Sequence, residues 1–346
     1  MSEESSIDLL WKNNTELVRD FLQTRDDYEQ LCSEVAYILK KSLIKEKVQF
    51  SAVTYRAKTL NSFLEKITRK SYSDPLKEIT DFAGVRIVYL YQDDLEKIEN
   101  IVRREFSGIE KVDKINEKGL DKFGYTAVHF VVKLGKGSSG ARYDDLKKLN
   151  CEIQVRTVLQ DAWAIIDHHL IYKRESDIPT KLQRKLNGLA GLFETADNQF
   201  DNIRRERDAY LEKVDESKDS GNFLKNELNL DTFISYLTWK FPDYDLKFFE
   251  NQPEIVYRDI RRYKQKTLQD IDNIVQKYKN AIPIIKNKLE EEYRDLYYKG
   301  QDISSSLLVS TILDIEFDGY MKANLPVDVK EFIRDNLKKE DLLGTT

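Results

Sequence analysis

Two acid-bearing blocks, about seventy residues apart, hold most of the chemistry this chain can offer. Asp81-Phe82-Ala83-Gly84-Val85-Arg86 runs into the apolar, β-rich stretch Ile87-Val88-Tyr89-Leu90-Tyr91. Cys151-Glu152-Ile153-Gln154-Val155-Arg156-Thr157 alternates as a half-buried strand does. Each block sets a carboxylate beside a strand and an arginine a few residues on. One carboxylate from each of two strands, with guanidinium groups nearby, suits a hard cation that is itself holding a polyphosphate.

A polyphosphate also needs positive charge, and residues 54–70 supply it. A helix over Thr59–Lys70 puts Leu60, Phe63, Leu64 and Ile67 on one face and Lys58, Ser62, Lys66, Arg69 and Lys70 on the other. Arg56 lies just upstream, and Glu65 is the acid among them. No Walker-type glycine loop accompanies this stripe, so phosphates are expected to be held by side chains and metal rather than by a backbone nest. A third block, Phe123-Gly124-Tyr125-Thr126-Ala127-Val128-His129, enters the strand-like Phe130–Leu134. Tyr125 can offer a flat ring to a nucleobase, and His129 follows four residues later.

The elements that must position these groups follow from the same pattern. After the Glu152 strand a helix is expected over Val158–Lys173, with Trp163, Ile166 and Leu170 on a core side and Asp161, Ile165, His168 and Tyr172 on another. Asp167 and His168 read as an orienting pair, and His169 has no assigned role. At 346 residues and 40% hydrophobic, the chain is long enough for two domains, or for one with a large accessory part. Cys32 and Cys151 make no disulfide framework, and three histidines without close cysteines make no familiar zinc cluster. With no apolar run of membrane-spanning length and no signal peptide, a soluble, cytoplasmic protein without membrane partners is expected. A net charge of −5 argues against broad attraction to nucleic acid or anionic lipid, so any phosphate-binding surface is local.

In order and spacing, the blocks resemble the synthetase domain of the RelA/SpoT family over roughly residues 40–175. The resemblance is carried by Arg56-x-Lys58 with Ser62, Lys66, Arg69 and Lys70, by Asp81-x-x-Gly84-x-Arg86, and by Gly124-Tyr125-x-x-x-His129. It continues through Glu152–Thr157 and Trp163-Ala164 with Asp167-His168 and Tyr172-Lys173. It implies an α/β (α+β) fold, a nucleotidyltransferase-like mixed sheet flanked by helices, here followed by a mainly helical accessory domain. It also implies transfer of the β,γ-pyrophosphate of ATP to the ribose 3′-hydroxyl of GDP or GTP, giving ppGpp or pppGpp.

Carried over by position, the resemblance assigns adenine to Arg56 and Arg86, and the ATP phosphates to Lys58, Lys66 and Arg69, with Ser62 beside them. Asp81 and Glu152 would bind Mg²⁺. Tyr125 would stack on the acceptor base, while His129, Gln154 and Arg156 line the acceptor pocket, with Asp161 and His168 also on that side. Two positions depart from the family pattern: Asp161 stands where asparagine is frequent, and Ile165 replaces an acid common after Trp-Ala. Two other functions stay open. Toxic members of the family act on the 3′ end of tRNA, some restrained by a neutralising segment on the same chain, and a catalytically silent nucleotide sensor is the third possibility.

The expected organisation is N-terminal helices over 1–40, the pyrophosphokinase domain over 41–175, a long helix and linker over 176–222, and a helical accessory domain over 223–346. The long helix is expected over 178–214. A charged helix is expected near Val256–Tyr298, holding a basic cluster of Arg258, Arg261, Arg262, Lys264 and Lys266 that reads mainly as a solvated face. The accessory domain is the expected place for a homo-oligomer contact or a regulatory partner.

Overall fold

Among the described residues, the sheet that carries both acid blocks has five strands: β1 (Phe50–Ala57), β2 (Ala83–Tyr89), β3 (Phe106–Asp113), β4 (Val128–Leu134) and β5 (Cys151–Thr157). They lie in the order β1–β2–β5–β4–β3. β2 and β5 run parallel and the other neighbours antiparallel, so the sheet is mixed, as expected. This computed structural model describes residues 15–113, 127–170, 180–246, 252–292, 303–317, 331, 332 and 335.

Alternation decides which face does chemistry. In β5, Cys151, Ile153, Val155 and Thr157 are buried, while Glu152, Gln154 and Arg156 are half-buried. Cys151, Ile153 and Val155 join Val85, Ile87, Phe130 and Val132 in one core, closed by helix α1 (Thr15–Lys45) through Leu31, Val35, Leu39 and Leu43. Burying a side chain of this size contributes about 1.5–3 kcal/mol, which commits the apolar face to the helices and leaves the polar face for the site.

Helix α2 (Leu60–Arg69) matches the expected Thr59–Lys70 to within a residue at each end. Thr59 is its N-cap, accepting from Ser62 N at 3.3 Å. Its apolar face is held in a second cluster of Val18, Phe21, Phe63, Leu64, Ile79 and Phe82, with the Phe21 and Phe63 rings stacked at 4.7 Å. The basic face is thereby turned away from that cluster. Helix α3 (Leu95–Glu105) adds Ile98, Ile101 and Val102 to the main core.

Helix α4 (Val158–Leu170) starts at a reciprocal cap: Thr157 N donates to Gln160 Oε1 at 2.9 Å, and Gln160 N donates to Thr157 Oγ1 at 3.0 Å. Residues 171–173 of the expected helix lie outside the described residues. Trp163 is buried against Phe193 of helix α5 (Thr180–Asp219), with ring centroids 5.9 Å apart. Ile166 is not in the core, as the spacing predicts, but 42% exposed, because α5 packs along the side of α4 that bears Leu159 and Trp163. α5 continues past the expected end at residue 214, and Asp215 is bonded there by Lys218 and Ser235.

The chain divides into two compact units, residues 1–204 and 205–346. Among its described residues the second is helical, with α6 (Leu230–Lys240), α7 (Gln252–Ile260), α8 (Leu268–Lys277), α9 (Ile282–Glu292) and α10 (Ser305–Glu316). Leu308, Val309, Ile312 and Leu313 of α10 are fully buried among Phe233, Leu237, Ile271 and Ile285. Over its described residues, the single charged helix expected over Val256–Tyr298 is broken into three, and 293–298 lie outside them. Lys264 turns the chain in the left-handed region (φ 59°), a Thr267–Asp270 capping box starts α8, and Pro283 falls in the first turn of α9, where its missing N–H costs nothing. No helix among the described residues is long and apolar enough to cross a membrane.

Candidate active site

The first acid, Asp81, sits just before β2 and is gripped from two elements. Lys58, following β1, donates Nζ to Oδ2 at 2.8 Å, and Lys66, on the basic face of α2, donates to Oδ1 at 2.9 Å. Burial pushes the Asp81 carboxyl up, but the two lysine hydrogen bonds outweigh it and hold it below the usual carboxylate range.

Glu152 is placed by register. The parallel β2–β5 pairing sets it beside Gly84, and the antiparallel β4–β5 pairing sets His129 beside Gln154 on the same face. His129 Nδ1 lies 2.6 Å from Glu152 Oε1, and Gln154 Nε2 donates to Glu152 Oε2 at 3.1 Å. An ionised carboxylate only accepts, so Nδ1 carries the proton in that contact. Burial raises the Glu152 carboxyl and so does the Asp81 charge, yet His129 and Gln154 bring it below its ordinary value. The two acids therefore feel one another across the site.

Beside them the β1–β2 pairing aligns Arg56 with Gly84 and Thr54 with Arg86. Thr54, Arg56, Gly84, Arg86 and Gln154 line a cavity of about 240 Å³. A Cβ at Gly84 would stand 3.7 Å from the Arg56 carbonyl, an ordinary contact, so the glycine keeps the cavity open rather than relieving a clash. Arg86 and Arg156 both contact Asp161 of α4, at 3.1 and 3.6 Å. Burial and the neighbouring Arg86 charge hold the Arg156 guanidinium below its ordinary value, against the opposing pull of Asp161 and Glu152.

Most residues singled out by sequence thus converge on one face of the β1–β2–β5–β4 sheet and the adjoining α2 and α4. Arg69 instead pairs with Glu65 on its own helix at 3.3 Å and is 60% exposed, and Ser62 is taken up in the α2 cap. Tyr125 lies outside the described residues, and His168 falls in the last turn of α4. Thr54 was not among the expected site residues; its signal was alternation with Arg56 along β1, which puts both on the Arg86 face. Among the described residues, no group of three or more histidine, cysteine, aspartate or glutamate side chains is arranged to hold a metal ion unaided.

The family model described as "Region found in RelA / SpoT proteins" matches residues 55–177, the span that contains all of these groups except Thr54. GTP pyrophosphokinase YjbM of Bacillus subtilis (strain 168) is 33% identical over 159 residues, covering 44% of this chain and 72% of that protein. GTP pyrophosphokinase YwaC of the same organism is 26% identical over 203 residues, covering 57% of this chain and 92% of its own. The crystal structure of the small alarmone synthetase 1 from Bacillus subtilis superposes with a TM-score of 0.47 at 28% identity, over 55% of this chain and 98% of that one.

Proposed function

The chain belongs to the RelA/SpoT family of GTP pyrophosphokinases, and we propose that it transfers the β,γ-pyrophosphate of ATP to the ribose 3′-hydroxyl of GDP or GTP, making ppGpp or pppGpp. The observation that supports this best is that Asp81, bonded by Lys58 and Lys66, and Glu152, bonded by His129 and Gln154, are both held ionised beside Arg56, Arg86 and Arg156. The names of its relatives point the same way.

In this reading Arg56 and Arg86 flank the adenine in the cavity beside Gly84, where planar guanidinium can stack as lysine cannot. Lys58 and Lys66, now bonded to Asp81, turn towards the ATP phosphates, with Arg69 and Ser62 further along α2. The donor set fits Mg²⁺, which takes one or two carboxylates and completes its shell with water and substrate phosphate rather than needing an all-protein cage. Bound by Asp81 and Glu152, it would supply charge neutralisation at the transferred phosphates. His129 and Gln154 keep Glu152 ionised and aimed. Arg156 and Tyr125 take the acceptor, with Asp161 and His168 beside it. The bond from the α- to the β-phosphate breaks, the 3′-oxygen bonds to the β-phosphorus, AMP leaves and the hydroxyl proton is released. Positioning and fixed charge carry such a step without a dedicated base.

Incubating the protein and Mg²⁺ with γ-labelled ATP and either GDP, GTP or bulk tRNA tests the acceptor. Label in GDP or GTP is expected. Label in tRNA alone would favour the second reading, modification of the tRNA 3′ end. That reading is supported by one observation: Arg258, Arg261, Arg262, Lys264 and Lys266 are all exposed around the turn between α7 and α8, forming a local basic surface.

A further inference from the structure

Arg86 stands on β2 and Arg156 on β5, and the register that sets Arg86 beside Gln154 sets Arg156 beside Val88. The two guanidinium groups leave the same sheet face two residues apart on neighbouring strands. Asp161, in the first turn of α4, puts one oxygen between them: Oδ1 lies 3.1 Å from Nη1 of Arg86 and 3.6 Å from Nη1 of Arg156. The three side chains keep only 32%, 16% and 18% of their surface exposed, in the order Arg86, Arg156, Asp161. Even so, Nε of both arginines and Oδ1 of Asp161 are buried without a hydrogen-bond partner. The contact is one of charge, without hydrogen-bond alignment.

Buried donors left open in this way favour a ligand that brings acceptor atoms to the guanidinium edge, while the face stays free to stack on a base. A carboxylate already seated at the same guanidinium groups competes with that ligand. Resting on the pyrophosphate-transfer reading, which puts Arg86 on the donor side and Arg156 on the acceptor side, we infer that Asp161 is a shared counter-ion that holds both arginines in the nucleotide-free enzyme and releases both when nucleotides bind. It is a positioning residue, acting through two arginines rather than on a reacting atom. Its seat is fixed by the backbone, because the Thr157–Gln160 cap determines where α4 begins. Two consequences follow. The like charges of Arg86 and Arg156 are kept from repelling each other before nucleotides bind, and each nucleotide binds less tightly than the arginines alone would allow.

The test is equilibrium binding of ATP alone and of GDP alone, so that no transfer occurs, to the full chain and to Asp161→Asn and Asp161→Glu. Asp161→Asn is expected to bind both nucleotides about threefold to tenfold more tightly, the scale of one partly shielded charge contact. Asp161→Glu, which keeps the charge, is expected to bind both nucleotides less tightly than Asp161→Asn. In turnover, Asp161→Asn should lower KM for both nucleotides and also lower kcat, because the arginines lose their fixed positions. Unchanged or weaker binding of either nucleotide overturns the inference, and loss of GDP binding alone would make Asp161 a direct acceptor contact instead. Should the variant be less stable, the rise in Tm caused by each nucleotide gives the same comparison, and it must be larger in Asp161→Asn than in the parent. Binding is read apart from transfer, so a protein that binds as expected yet moves no pyrophosphate contradicts the proposed function and not the counter-ion.

Discussion

The Thr157 hydroxyl donates to Asp197 Oδ2 at 2.6 Å while accepting from Gln160 N at 3.0 Å. One side chain thereby ties the end of β5 to the start of α4 and to α5. Glu152 and Arg156 lie before this junction and Asp161 after it, so the arrangement of the site depends on a contact that none of its own residues makes.

The Asp197 carboxyl in that contact gives stability a pH dependence. Burial, then the Asp201 charge, pushes the Asp197 carboxyl up to about 7, against a weaker opposing bond from Gln92. A carboxyl raised in the folded state holds its proton where the unfolded chain has lost it, so its contribution to stability is present at low pH. It is lost as pH rises from about 4 towards 7. Asp197→Asn should therefore be more stable than the parent at pH 8 and should flatten the fall in Tm across that window. Thermal unfolding at a series of pH values checks this, and a parent Tm that climbs between pH 5 and 7 while the variant's does not would count against it.

His129 should set the acid limb of activity. Because Glu152 is held below its ordinary value, the stability and charge it contributes are present above the unfolded carboxylate pKa and are lost as pH falls through the folded one. His129→Gln removes the strongest group lowering that value, so the carboxyl pKa rises. The acid limb of kcat/KM against pH should move to higher pH, and an unmoved limb would separate Glu152 from the rate.

Phe63 links packing to phosphate binding. It is fully buried and stacked on Phe21, so Phe63→Ala should cost about 3–5 kcal/mol of stability. It should also raise KM for ATP, since Lys66 lies on the same short helix. Denaturant unfolding and ATP-dependent kinetics measure the two effects, and a destabilised enzyme with unchanged KM would show that α2 does not position the donor.

Much of this was legible in the sequence. The alternation of β5 gave Glu152, Gln154 and Arg156 one face, and the apolar spacing of α2 gave Lys66 the opposite side from Phe63 and Leu64. What stayed hidden depends on long-range packing. Nothing local shows that Asp81 takes Lys58 and Lys66 as partners, that Asp161 reaches both Arg86 and Arg156, or that α5 leaves Ile166 at the surface. The break at Lys264 was hidden for another reason: a charged sequence without glycine there gives no stop signal, and the turn is fixed instead by the cap that starts α8.

Asp81 and Glu152 should be required for transfer and not for the fold. Asp81→Asn and Glu152→Gln, which keep size and hydrogen-bonding capacity, should each lower transfer by orders of magnitude while circular dichroism and Tm change little. Substantial transfer by either variant would remove that residue from the site.

In the proposed reaction two phosphoryl groups move as a unit. Run with ATP labelled separately at the β- and at the γ-phosphate, with GDP as acceptor, the reaction should place both labels in the product in equal amount and release AMP. Label from the γ-phosphate alone, with ADP as the other product, would contradict pyrophosphate transfer at this site.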